Sequence, residues 1–187
     1  MVRRINEIFY SLQGEGLRTG VPAVFVRFAG CNMRCSFCDT DFRDYTELTD
    51  EEIVAAAAQY PARYVVLTGG EPALQVDATL VDRFHAAGFV VAIETNGTVT
   101  PPHNVDWVTC SPKGDVVLRR CDELKCLYDG QSEPYCPDIE ARYCLLQPID
   151  SGDEERNHDI TAACVAYVKS HPQWRLSLQT HKLIGIR

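Results

Sequence analysis

Apolar positions along this chain follow two rhythms. Seven short stretches rich in aliphatic, β-branched and aromatic residues read as strands. They are AVFVRFAG (23–30), RYVVLTGG (63–70), FVVAIETNG (89–97), VDWVTCSP (105–112), DELKCLY (122–128), RYCLLQPI (142–149) and RLSLQTHK (175–182). Between them LTDEEIVAAAAQY (48–60), LQVDATLVDRFHAAG (74–88) and EERNHDITAACVAYVKSH (154–171) carry helical spacing. Thr49 or Asp50 is the expected N-cap of the first helix, with acids in its first turn. Gly88 closes the second.

Strands alternating with helices predict a parallel sheet with right-handed crossovers. A complete eight-fold barrel takes about 250 residues, and this chain has 187. The expected fold is therefore α/β, a partial, open parallel β/α barrel of about six core strands. No repeat or linker breaks the sequence, so residues 1–187 are expected to form a single domain.

Hydrophobic residues make up 45% and charged residues 24%, the balance of a soluble globular protein. The longest apolar run, AACVAYV (162–168), is far short of the roughly 18 residues of a membrane span. MVRRINEIFYSLQGEG lacks the apolar core of a signal peptide, so a cytoplasmic protein with no membrane contact is expected. A net charge of −8 and a pI near 5.1 argue against nucleic-acid binding. Nine cysteines in such a chain point to free thiols and metal ligation rather than disulfides.

Four predicted strands end in small or polar residues: Thr68-Gly69-Gly70-Glu71-Pro72, Glu94-Thr95-Asn96-Gly97, Ser111-Pro112-Lys113 and Gln147-Pro148. One such end reads as an ordinary turn. Four on successive strands point to a shared site, because ligands of parallel sheets bind beyond the carboxyl ends of the strands. The loop GCNMRCSFCDTDF (30–42) follows the first of the seven stretches and holds Cys31, Cys35 and Cys38 in a C-x3-C-x2-C spacing. Structural zinc takes four protein ligands, and so does an ordinary four-iron cluster. Two readings fit three cysteines. One is a zinc site completed by Asp39, a distant Cys or a His. The other is a four-iron, four-sulfur cluster with one iron left open to chelate a small molecule.

The cysteine loop, followed by the Gly69-Gly70-Glu71-Pro72 strand end, resembles the radical S-adenosylmethionine superfamily. That resemblance implies that the amino and carboxylate groups of S-adenosylmethionine fill the open iron position. One electron from the reduced cluster then cleaves it to a deoxyadenosyl radical that abstracts hydrogen from substrate. Three further stretches, FYSLQGEG (9–16), CDTDF (38–42) and SLQTHK (177–182), stand in order with ETNG, SPK and LQPID. Together they resemble the 7-carboxy-7-deazaguanine synthase family, from about Ile5 to the last residue.

The family resemblance implies a lyase of 7-deazapurine (queuosine) biosynthesis. Its substrate is 6-carboxy-5,6,7,8-tetrahydropterin, which loses hydrogen at C6, contracts its ring and releases ammonia. The implied cofactors are the 4Fe-4S cluster on Cys31, Cys35 and Cys38, S-adenosylmethionine, and Mg2+ held by Thr40. The implied S-adenosylmethionine contacts are Phe37 against the adenine, Gly70 and Glu71 at the amino group, Thr95 and Asn96, Ser111, Pro112 and Lys113, and Gln147, Pro148, Ile149 and Asp150. The implied substrate contacts are Leu12, Gln13, Gly14, Glu15, Arg27, Thr68, His181 and the carboxylate of Arg187. A one-electron reductant of flavodoxin or ferredoxin type and a homodimer complete what is implied.

The chemistry of several of these residues agrees. Arg27 interrupts an apolar strand, where an arginine needs a partner, and its planar fork suits a carboxylate. Gln13 and Glu15 match the donor-rich edge of a pterin. Glycines at 69 and 70 allow close backbone approach, and Glu71 is an anion suited to an ammonium. The remaining Cys110, Cys121, Cys126, Cys136 and Cys144 follow no ligand spacing, and three of them sit in apolar strands as small hydrophobes. Two competing functions stand beside this one, a glycyl-radical activase sharing the cysteine loop and a non-catalytic zinc-binding module.

Overall fold

The computed structural model describes residues 1–35, 38 and 44–187. Nine strands form one open sheet in the order β3-β1-β2-β4-β5-β6-β7-β8-β9. Strands β2 (Pro22–Phe28), β4 (Tyr64–Gly69), β5 (Val90–Thr95), β6 (Trp107–Cys110), β7 (Arg120–Tyr128), β8 (Glu140–Pro148) and β9 (Trp174–Leu176) are mutually parallel. The six expected core strands are β2 and β4 to β8. Two elements went unforeseen: β1 (Val2–Leu12) and β3 (Thr46–Thr49), an antiparallel flank beside β2.

The strands read as near-continuous apolar runs because both of their faces are covered. Val24, Val26 and Phe28 of β2, Val65 and Leu67 of β4, and Val91 and Ile93 of β5 pack against α1 (Asp50–Ala58) and α2 (Ala78–Ala86). Leu124, Cys126 and Leu146 pack with Cys164 of α3 (Glu154–Ser170). Thr49 caps α1 through a full capping box with Glu52. Asp77 caps α2, so this helix starts later than the spacing predicts.

The opposite face changes character along each strand. Ala23, Tyr64, Val66 and Ala92 form a small apolar cluster there. Further along the same face, the period-two alternation places Arg27 beyond Ala23 and Phe25, Thr68 beyond Val66, and Glu94 beyond Ala92. The polar half of this face is thus at the carboxyl ends of the strands.

The segment after β1 folds onto that face. Gln13 N–H donates to Val21 O and Gly20 N–H to Gln13 O, both at 2.8 Å, which closes a loop around a 3-10 turn at Gly16–Arg18. Gly16 N–H reaches Ser177 Oγ (3.0 Å) and Leu17 N–H reaches Glu123 Oε1 (3.2 Å). Arg18 lies over Tyr64 and Trp107, 5.0 and 4.6 Å from their ring centroids.

The 175–182 stretch corrects the sequence reading. Its alternation predicts one strand, but β9 stops at Leu176 and Thr180–Leu183 forms a short helix, α4. Ser177 N–H makes the last bond to Leu146 O (2.9 Å), then Thr180 N–H crosses to Gly14 O (2.9 Å). The chain leaves the sheet to close on the loop after β1.

The glycine that directly follows β4, Gly70, is fixed by sterics. A Cβ on Gly70 would run into the Gly30 carbonyl oxygen and sit 3.0 Å from Cys31 Cβ. The strand end and the cysteine loop are in backbone contact, also joined by Glu71 N–H to Gly30 O at 3.0 Å. Gly70→Ala should therefore destabilise the fold by about 1–3 kcal/mol of overpacking. Thermal unfolding should show Tm lower by several degrees, at about 2–4 °C per kcal/mol. An unchanged Tm would mean that the two backbones separate freely.

Candidate active site

A cavity of about 920 Å³ opens at the carboxyl ends of the parallel strands, large for a small-molecule site. Cys31, Cys35 and Cys38 line one part of it. Gly70, Thr95, Asn96, Ser111, Lys113, Gln147, Pro148, Ile149 and Asp150 line it from the strand ends. Leu12, Gln13, Gly14, Glu15, Arg27, Thr68, His181 and Arg187 line it from β1, β2, β4 and the α4 segment. Residues far apart in sequence are thus brought to one wall. Phe37 and Thr40 lie outside the described residues, as does Asp39.

Two expected residues stand elsewhere. Pro112 does not line the cavity. Glu71 is completely buried, and its carboxylate accepts from Ala73 N–H (3.0 Å), Thr95 Oγ1 (2.8 Å) and Asn96 N–H (2.7 Å). A carboxylate without water must collect donors, and it has taken those of the β5 turn. Burial still raises its pKa, against the pull of those three bonds. The anion expected at a ligand's amino group instead holds Thr95 and Asn96 in place at the cavity wall.

The three cysteines suit a cluster by donor chemistry and by the close-packed glycine beside them. Cys38 N–H bonds Cys35 O (3.2 Å) and Met33 N–H points at Cys31 Sγ (3.4 Å). Burial, followed by Glu71 and the sulfurs of Cys35 and Cys38, raises the Cys31 thiol above its ordinary pKa. Metal must displace that proton. Among the described residues no three Cys, His, Asp or Glu side chains already converge on a metal position. Cys110, Cys121, Cys126 and Cys164 are buried, and burial pushes Cys110 and Cys121 up to about 12.

Arg27 is half-buried and paired. Its Nε donates to Glu7 Oε1 at 2.8 Å. Glu7 Oε2 is bound by the Arg187 guanidinium, and Ser11 Oγ donates to Arg187 O (2.5 Å). Phe9 and Phe25 stack at 5.0 Å and line the cavity beside these arginines. Both guanidiniums approach the Phe9 ring, at 5.8 Å for Arg27 and 4.7 Å for Arg187. The wall offers cations beside a flat apolar surface.

Gln13 and Glu15, both expected in the site, belong to a charged set on the same cavity whose other members, Lys125, Glu94 and Gln179, sequence reasoning left out. Lys125 Nζ donates to Glu15 Oε2 (2.5 Å) and to Glu94 Oε2 (3.0 Å). Gln179 Nε2 donates to Glu15 Oε1 (3.0 Å) and Gln13 Nε2 to Glu94 Oε1 (3.3 Å). Burial opposes the charge on Glu15, yet the Lys125 ammonium and the bonds from Lys125 and Gln179 prevail and lower its carboxyl to about 2. Glu94 goes the other way, because burial, helped by Glu15, outweighs Lys125. The signal for Lys125 was a lysine within the strand DELKCLY, where an ammonium needs partners. Gly14 is the counterpart of this closeness, since a Cβ there would collide with the His181 imidazole.

The depressed carboxyl of Glu15 gives a signed pH effect. Its stabilisation is present above the unfolded value near 4.5 and is lost as pH falls through about 2. Tm of the wild type should fall faster than that of Glu15→Gln on going from pH about 5 to about 3. Parallel Tm curves for the two proteins would overturn the pairing.

Comparisons with known proteins agree on one family. The Radical SAM superfamily model matches residues 25–109. The 7-carboxy-7-deazaguanine synthase of Bacteroides thetaiotaomicron is 54% identical, with both chains covered in full. That of Bordetella pertussis is 45% identical, again over the whole of both chains. Among solved structures, QueE from Escherichia coli superposes with a TM-score of 0.77 at 31% identity, over 97% of this chain and 95% of that one.

Proposed function

We infer the work of the cavity from one premise: the chain belongs to the 7-carboxy-7-deazaguanine synthase family of radical S-adenosylmethionine enzymes. It is a lyase that acts with a 4Fe-4S cluster and S-adenosylmethionine in the 7-deazapurine (queuosine) pathway. The substrate is 6-carboxy-5,6,7,8-tetrahydropterin and the product 7-carboxy-7-deazaguanine, with loss of ammonia. The single observation that carries this reading is the shared cavity, on which the three cysteines and a set of hydrogen-bond donors and acceptors open together.

The chain's own groups have separable tasks. Cys31, Cys35 and Cys38 hold the cluster, and Thr95, Asn96, Ser111, Lys113 and the 147–150 strand end receive S-adenosylmethionine. When bound, these cofactors supply the radical that removes a substrate hydrogen. Arg27 binds the substrate carboxylate, and the Phe9–Phe25 stack flanks the flat ring. Glu15 and Gln13 accept from and donate to the pyrimidine edge, with His181 and Thr68 beside them.

Mg2+ belongs to this reading through Thr40, with substrate oxygens and water completing its shell. The cluster loop is reachable by a flavodoxin- or ferredoxin-type reductant, since Cys38 is exposed. A homodimer is the assembly of the family. No helix among the described residues is long and apolar enough to cross a membrane, in keeping with a cytoplasmic site of action.

The test is anaerobic incubation of cluster-loaded protein with carboxytetrahydropterin, S-adenosylmethionine, Mg2+ and a one-electron reductant. Mass spectrometry should find 7-carboxy-7-deazaguanine and deoxyadenosine. Intact pterin after many equivalents of reductant would refute the proposed substrate.

A further inference from the structure

Lys125 lines the same cavity as Glu15 and Glu94 and is the least exposed of the three. Its side chain is 5% exposed, against 19% for Glu15 and 22% for Glu94. Each carboxylate gives one oxygen to Lys125 and the other to an amide, Gln179 for Glu15 and Gln13 for Glu94. A carboxylate oxygen can accept about two hydrogen bonds, so each retains capacity toward a ligand in the cavity. The trio comes from three elements: the loop after β1, β5 and β7.

Charge decides what this wall presents. Two carboxylates and one ammonium leave a net charge of −1 where the ligand's N–H edge would lie. Lys113 adds its field to both carboxylates, although its Nζ is bonded to Ser111 O and Oγ at 3.1 Å. Glu123, His181, Tyr64 and Cys110 are further titratable neighbours of the group. Without Lys125, Glu15 and Glu94 would face each other in a poorly hydrated wall, and like charges at short range share a proton. A protonated carboxyl presents an O–H toward N–H donors and loses an acceptor.

We propose that Lys125 is a positioning residue for substrate recognition, which keeps Glu15 a carboxylate that accepts from adjacent N–H groups of the 2-amino-4-oxopyrimidine edge. It acts through Glu15 and Glu94, to which its ammonium is bonded. The inference rests on the pterin reading above and adds the residue that gives the pocket its preference for paired donors. A ring whose 2-amino group is replaced by oxygen turns one donor into an acceptor and is rejected by the same wall.

The test measures equilibrium binding of carboxytetrahydropterin to cluster-loaded enzyme with S-adenosylmethionine and no reductant, so that substrate binds without turning over. Four proteins are compared: wild type, Lys125→Met, Glu94→Gln and the double variant. Wild-type turnover with reductant added tests the pterin reading separately, so failure of one idea is distinct from failure of the other. Lys125→Met should weaken substrate binding by about thirty-fold or more, with iron content and S-adenosylmethionine affinity unchanged. The double variant has a single carboxylate with no like-charged partner on Glu94, and should bind within about five-fold of Glu94→Gln. Lys125→Met binding within about three-fold of wild type would overturn the proposal, and so would single effects that simply multiply in the double variant. If Lys125→Met alone does not fold, the comparison of Glu94→Gln with the double variant decides. Affinities within about five-fold support the proposal, and a larger loss overturns it.

Discussion

Alanine at Cys35 removes the brown chromophore and all turnover. Cys31, Cys35 and Cys38 lie on one loop and line one cavity, and a cluster that keeps one iron open for S-adenosylmethionine has these three protein ligands and no spare. Loss of one leaves two thiolates for four irons. Cys110 and Cys126 do not substitute, since both are fully buried among apolar side chains on the helix-covered face. The expected readings are iron and labile sulfide near zero, no charge-transfer absorbance, and no deoxyadenosine. Wild-type iron content and activity in Cys35→Ala would sink the cluster assignment. Zinc in place of iron in anaerobically purified wild type would revive the non-catalytic reading.

Alanine at Arg27 leaves a folded, cluster-bearing protein that binds its substrate poorly. Truncating one partner of a close charge pair costs roughly 2–5 kcal/mol. That corresponds to about thirty-fold to several thousand-fold in Kd at about 1.4 kcal/mol per decade. The fold survives because Glu7, a partner of Arg27, is also bound by Arg187 and so is not stranded. Arg27→Lys keeps the charge and loses the planar fork, and should fall between. Isothermal titration with substrate, S-adenosylmethionine present, reads the effect. A Kd for Arg27→Ala within about three-fold of wild type, far below that range, would remove Arg27 from carboxylate recognition.

The legible parts of this molecule were those carried by local pattern. Parallel strands buried on both faces show as apolar runs, and the cysteine loop and the Gly69–Pro72 strand end sit within a few residues. Lys125 was not legible as a site residue, because its partners Glu15 and Glu94 lie 110 and 31 residues away. Its strand reads the same with or without them. Glu7 was missed although it is the direct cross-strand neighbour of Arg27. Reading NEIFYSL as an antiparallel strand would have found it. Glu71 was expected beside a ligand's ammonium because sequence shows a charge and not its depth, and the structure buries it. The QTHK segment misled through alternation, a signal that cannot register the pull of Gly14 O on Thr180 N–H.

The contact between the loop after β1 and the segment before α4 also orders the birth of the site. Glu15 and Gln179 are joined across 164 residues, whereas the cysteine loop and the β4 strand end meet across about forty. Closing a longer loop costs more chain entropy, and contacts of high sequence separation form slowly. During synthesis from the N-terminus, the cluster-bearing half can be complete while the pterin wall still lacks Gln179 and His181. Metal loading can therefore precede substrate competence on a single emerging chain.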